Sequence, residues 1–196
     1  MVRKPKKNTV PLSKLRASDV VKTVVEHPQR LKELLELLEE KETGERGRAA
    51  AMLARLSETR PSRLLHSIAR LKDSVIDDSA YVRWNIIFAL GKIGSNFPAQ
   101  SRVFLSDLVS CLDDTNRIVR VFACKAIVQI AQLRPSIVEE SFQKMKRDMP
   151  PAVARSIQST KTKSHTTASL KSSANRKPLK KIGINENRIY RRHKST

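Results

Sequence analysis

The chain has 196 residues, a net charge of +20 and only two cysteines, Cys111 and Cys124. That length holds one domain of ordinary size with some chain left over. A disulfide framework, a secretory leader and a membrane span are not expected: the cysteines are few, the start lacks an apolar core, and no apolar run approaches the length a span needs. The expectation is therefore a soluble protein of a reducing, cytoplasmic compartment, or of the nucleus if the cell has one.

The charge is unevenly placed. Residues 1–16 carry six Lys/Arg and no acid, residues 17–150 carry 21 against 18 Asp/Glu, and residues 151–196 carry 12 against one. A nearly neutral body with two basic flanks favours polyanionic partners. The domain organisation expected is a flexible basic arm over 1–16, a folded body over 17–150 and a basic, Ser/Thr-rich disordered tail over 151–196.

After the arm, Val20, Val21, Val24 and Val25 line one side of a short helix over 19–27, with Ser18 in the N-cap position and Pro28 closing it. Leu31, Leu34, Leu35 and Leu38 then follow at i, i+3, i+4 and i+7, the stripe of an amphipathic helix. The stripe returns 37 residues on as Ile68, Leu71, Lys72 and Val75, and again as Leu105, Leu108, Val109 and Leu112. A partial fourth copy reads Phe142, Met145, Lys146 and Met149. Between these lie second helices over 45–57, 81–95 and 117–133. They are apolar over much of their circumference, as expected where neighbours cover more than one side. No stretch alternates strictly enough to read as a strand. Pro150 and Pro151 stop the pattern, and beyond residue 157 too little apolar surface remains to offset the entropy of ordering.

The same interval of 37 separates Arg46, Arg83 and Arg120, and again Pro61, Pro98 and Pro135. Six residues before each arginine stands a carboxylate: Glu40, Asp77 and Asp114. A fixed period in this range marks a stacked repeat array. The fold class is all-α: a solenoid of about three helical pairs with capping helices.

The D-x5-R spacing at Asp77–Arg83 and Asp114–Arg120, the A-L-G-x-I-G string over 89–94 and a proline opening each first helix resemble the HEAT-repeat family. The resemblance covers roughly residues 28–149. It implies a right-handed superhelix serving as a non-catalytic scaffold that holds proteins, and sometimes nucleic acids, on a curved surface. It also implies that each arginine pairs with the turn carboxylate of its own or the next repeat, which makes the six ladder residues structural rather than a row of phosphate contacts. The first repeat departs from the pattern in having Glu40 for Asp and Gly47 inside its second helix. Terminal repeats are often atypical.

Positions between the core columns of the second helices form four rows: Gly47, Trp84, Val121; Arg48, Asn85, Phe122; Ala51, Phe88, Lys125; and Arg55, Lys92, Gln129. They suggest a concave face with an apolar centre of Trp84, Phe88 and Phe122 flanked by Arg48, Arg55, Lys92 and Lys125. Such a face suits a protein partner, and bases could also stack on it. The competing reading is that the three rings fill gaps between adjacent repeats.

For DNA or RNA the candidates lie in the flanks: Arg3, Lys4, Lys6 and Lys7 at one end, and Arg176, Lys177, Lys180, Lys181, Arg188, Arg191, Arg192 and Lys194 at the other. Solubilisation or nuclear import would explain the same charge. Ser/Thr residues over 156–173 leave room for phosphorylation, which would cut it.

Catalysis finds little footing. His27, His66, His165 and His193 are scattered, no H-E pair occurs for the dimetal hydroxylases built on such repeats, and no phosphate-binding glycine loop is present. Cys111 and Cys124 have no nearby histidine for a zinc site or an activated thiol. HEAT-like DNA glycosylases use a basic, aromatic concave face, but no carboxylate column is assignable here. The expected protein is a non-enzymatic scaffold without metal, cofactor or small-molecule substrate.

Overall fold

The computed structural model describes residues 10–173, and every regular element among them is helical. The α-helices are α1 (Ala17–Glu26), α2 (Leu31–Glu36), α3 (Thr43–Thr59), α4 (Ile68–Asp73), α5 (Ala80–Asn96), α6 (Leu105–Ser110), α7 (Arg117–Leu133), α8 (Pro135–Lys144) and α9 (Pro151–Ser173). The period survives at the level of elements: α3, α5 and α7 each have 17 residues and start 37 residues apart. They pack side by side as one layer, with α2, α4, α6 and α8 packed against them. The chain divides into two compact units between Lys161 and Thr162.

The first helices of the three full pairs are not continuous. Each of α2, α4 and α6 is a six-residue α-helix between two 3-10 turns, as in Pro61–Ser67 and Ser74–Ile76 around α4, whereas α8 is continuous over ten residues. An i, i+3 apolar stripe stays on one side in either helix type, so it does not distinguish them. Each pair opens on a proline (Pro28, Pro61, Pro98), whose missing N–H is harmless in a first turn.

The apolar columns form the core: Leu53, Leu90, Ile127, Leu56, Ile93 and Ile130 have no exposed surface. Full burial of such a side chain contributes about 1.5–3 kcal/mol. Two glycines set how closely α5 and α7 approach. A Cβ on Gly91 would lie 2.8 Å from that of Ala126, and one on Gly94 would lie 2.7 Å from Ile130 Cδ1.

The arginine ladder pairs forward. Arg46 Nε donates to Asp77 Oδ2 at 2.8 Å and Arg83 Nε to Asp114 Oδ2 at 2.7 Å, so each guanidinium reaches the carboxylate of the next repeat. The four side chains are only 10–13% exposed. Nη1 of each arginine turns back to its own turn: Arg83 to the carbonyls of Asp77 and Asp78, Arg120 to those of Asp114 and Thr115. Asp77 and Asp114 also accept the amides of Ser79 and Asn116, which open the following helix. The array leaves two loose ends. Among the described residues the Glu40 carboxylate has no arginine before it, and Arg120 has no carboxylate ahead, where Pro151 stands one period beyond Asp114.

Both ends of the body differ from expectation. Helix α1 starts at Ala17 with Arg16 as its cap, while the Ser18 hydroxyl turns to Asp19. The body reaches into the expected arm: Leu12 is fully buried, its amide donates to Glu33 at 2.7 Å, and the Arg48 guanidinium bonds the Ser13 carbonyl. Average charge over 1–16 hid Leu12 and the half-buried Leu15, both packed on the core. At the other end α8 stops in a left-handed turn at Lys146 (φ 50), with the Arg147 amide bonding the Phe142 carbonyl. The tail expected from 151 instead opens as α9. Pro151 starts that helix rather than ending one, and Val153 and Ile157, one turn apart, are buried.

The ladder makes a testable statement about stability. Arg83→Ala leaves Asp114 shielded without its partner and should lower unfolding free energy by about 3 kcal/mol, whereas Arg120→Ala should cost less than about 1 kcal/mol. The hydrogen bond from Arg83 is the main influence holding the Asp114 carboxyl below its ordinary range. Burial works to raise Asp77, but bonds from Arg46 and the Ser79 amide outweigh it and the net shift is downward. Depressed carboxylates contribute stability that is full above the unfolded value, about pH 4, and lost as pH falls through the folded values. Denaturant unfolding between pH 7 and pH 2 should show that loss, with a shallower acid limb in Arg83→Ala.

Candidate functional site

The exposed face of the α3–α5–α7 layer gathers the candidate groove residues. Trp84 from α5 lies against Phe122 from α7 with ring centroids 5.0 Å apart, and Phe88 meets Phe122 edge-on at 6.0 Å. Tyr81 packs edge-on to Trp84 at 5.3 Å and is half exposed. Lys92 Nζ sits 5.2 Å from the Phe88 ring centre and Lys125 Nζ 5.5 Å from that of Phe122, distances at which a cation is attracted to the ring. Arg48 and Arg55, from α3, line a cavity of about 480 Å³ together with Tyr81 of α5.

The three rings do both of the jobs weighed from sequence. They pack between repeats, yet Trp84, Phe88 and Phe122 all keep part of their surface in solvent. Two row assignments need correction. Gly47 is buried because the Tyr81 ring covers it, and Asn85 is buried with its amide bonded to the Tyr81 carbonyl at 2.8 Å. Arg48 is partly committed to the body through its bond to Ser13. Sequence reasoning missed the row one turn earlier. Tyr81 and Ile118, with Val121 beside them, leave 40–52% of their surface exposed and extend the apolar strip.

The nucleic-acid candidates Arg3, Lys4, Lys6, Lys7, Arg176, Lys177, Lys180, Lys181, Arg188, Arg191, Arg192 and Lys194 lie outside the described residues. Among the described residues, no group of His, Cys, Asp and Glu is placed to hold a metal ion, and no helix is long and apolar enough to cross a membrane. Burial, aided by Asp114 and Asp107, pushes the Cys111 thiol up to about 11, and burial also raises Cys124, so neither is an activated nucleophile.

Layered helical pairs at a fixed period, tied by a forward arginine ladder, define a HEAT/armadillo-like helical-repeat protein. Residues 62–167, just over half of the chain, match the family described as Cnd1, non-SMC mitotic condensation complex subunit 1, and the chain belongs to that family. No curated protein matches it. Among solved structures it is similar to an engineered protein at 18% identity and TM-score 0.55, covering 76% of this chain and 66% of that one. It is also similar to computationally designed armadillo repeat proteins for modular peptide recognition, at 21% identity and TM-score 0.58, covering 74% and 69%. A designed armadillo repeat protein in complex with the peptide (KR)4 aligns at 19% identity and TM-score 0.54, covering 74% and 68%. The chain thus spans just under two thirds of the first of these and slightly more of the other two. At such identities the likeness concerns the fold.

Partial exposure separates the groove rings from true core rings. Trp84→Ala should lower stability by about 1–2 kcal/mol, against about 3–5 kcal/mol for the fully buried Phe104→Ala. Equal losses in denaturant unfolding would assign Trp84 to the core and remove it from the groove.

Proposed function

We propose that the chain is a non-enzymatic scaffold that takes a protein partner on the exposed face of α3, α5 and α7 and holds DNA or RNA through its basic flanks. The observation that carries this reading is the packed and partly exposed ring set of Tyr81, Trp84 and Phe122, with exposed Ile118 and Val121 on the same helix as Phe122 and with Arg55, Lys92 and Lys125 beside the rings. A strip of apolar anchors with a charged rim is the composition of a protein-binding surface. The family's description as a subunit of a mitotic condensation complex supports a role within a multi-subunit assembly. The charge of the flanks supports the same reading: residues 174–196 alone hold eight Lys/Arg against one acid.

Each phosphate neutralised adds about 0.9 to the slope of log affinity against log salt on duplex DNA. A chain ending at Ser173 should therefore bind duplex DNA more weakly and with a slope shallower by several units, measured by fluorescence anisotropy from 50 to 200 mM salt. An unchanged slope would remove the nucleic-acid half and leave a protein adaptor with solubilising flanks.

A further inference from the structure

We propose that the cavity of the first repeat is a socket for a large apolar side chain carried on an acidic segment of a partner protein. The inference rests on the protein-binding reading of this face and specifies the chemistry of its partner. The cavity comes from a gap in the repeat columns. Gly44, Gly47 and Ala51 of α3 stand one period before Tyr81, Trp84 and Phe88 of α5. Where the second repeat carries three aromatic side chains, the first carries two glycines and an alanine. The vacated space is about 480 Å³, and its lining includes Met52, Tyr81, Arg48 and Arg55. That volume falls within the range of about 300–1,000 Å³ typical of ligand pockets. The space is open on the Gly44 side, where an added Cβ would meet nothing within 4 Å.

Two features choose the occupant. The first is charge. No Asp or Glu lines the cavity, and among the described residues Arg55, Lys92 and Lys125 have no carboxylate partner. These uncompensated cations along an apolar strip complement an acidic segment and repel the chain's own basic flanks. The second is the state of the rings. Lys92 already lies over Phe88 and Lys125 over Phe122, while Trp84 is packed on Phe122, so these rings offer edges and partial surfaces rather than free faces for stacked bases. An apolar anchor with acidic neighbours fits both features better than a single strand of nucleic acid.

The test uses the full chain and dye-labelled 12-residue peptides in fluorescence anisotropy: an Asp/Glu-rich peptide with one central Phe, the same peptide with Ala for Phe, and a Lys/Arg-rich counterpart keeping the Phe. A 12-nucleotide single-stranded DNA is the fourth probe. The acidic Phe peptide should bind at least tenfold tighter than its Ala version, an advantage that charge on the flanks cannot produce because both carry equal charge. Gly44→Tyr, which refills the column, should abolish that advantage while leaving the thermal unfolding midpoint near that of the parent. Lys92→Glu with Lys125→Glu should weaken the acidic peptide at least tenfold. No Phe preference, or tighter binding of the basic peptide, would overturn the socket but leave a protein-binding face. An oligonucleotide whose affinity falls in Gly44→Tyr, while the acidic peptide's does not, would overturn it in favour of nucleic acid. Failure of every peptide to bind would remove the protein-binding reading itself.

Discussion

The exposed face depends on the bridges that Arg46 and Arg83 of the second helices make to the next repeat. A guanidinium has five donors in a rigid fork, and here the fork is divided. One arm holds the turn carbonyls of its own repeat, and the other holds the carboxylate at the next turn. The bridge therefore fixes the distance and rotation between consecutive second helices, not merely the shape of one turn. The missing side chains at Gly91 and Gly94 let α5 and α7 close to that distance. Because the pairing runs one way, it must begin and end unsatisfied, as Glu40 and Arg120 show. The chain handles the far end by a left-handed turn at Lys146 and by laying the first turns of α9 on the body through Val153 and Ile157.

A fixed register converts sequence columns into spatial rows, and this is how the frame produces a site. Residues about one period apart come to lie side by side, so an aromatic in one repeat can touch an aromatic in the next, as Trp84 touches Phe122, 38 residues on. By the same rule a column that loses its bulk leaves a hole, as Gly44, Gly47 and Ala51 do. Regularity supplies the frame, and its departures supply the chemistry: the first repeat, least like the others, carries the cavity.

Much of this was legible in the residues alone. The period, the helical pairs, the core columns and the residues of the ladder all follow from spacing. The direction of the ladder did not, because carboxylates of the same repeat and of the next both satisfy the pattern, and only geometry separates them. The 3-10 turns were hidden since an i, i+3 stripe fits either helix type. Burial of Leu12 and of Val153 and Ile157 was masked by composition averaged over basic segments. The spacing brings Trp84, Phe88 and Phe122 together, but the row of Tyr81 and Ile118 is passed over because exposed apolar residues look like core in a period count. The socket was written plainly as Gly, Gly, Ala against Tyr, Trp, Phe, yet it reads as mere terminal irregularity until the rows are seen in space.

A double-mutant cycle on the first rung tests the forward-pairing account most directly. Unfolding free energies of Arg46→Ala, Asp77→Ala, Glu40→Ala and the two pairs containing Arg46 yield one coupling energy across repeats and one within the first repeat. The account predicts about 2–3 kcal/mol between Arg46 and Asp77 and less than about 0.5 kcal/mol between Arg46 and the Glu40 side chain. Coupling to Glu40 as strong as to Asp77 would mean that each repeat closes on itself, and the register from which the rows and the cavity were argued would lose its cause.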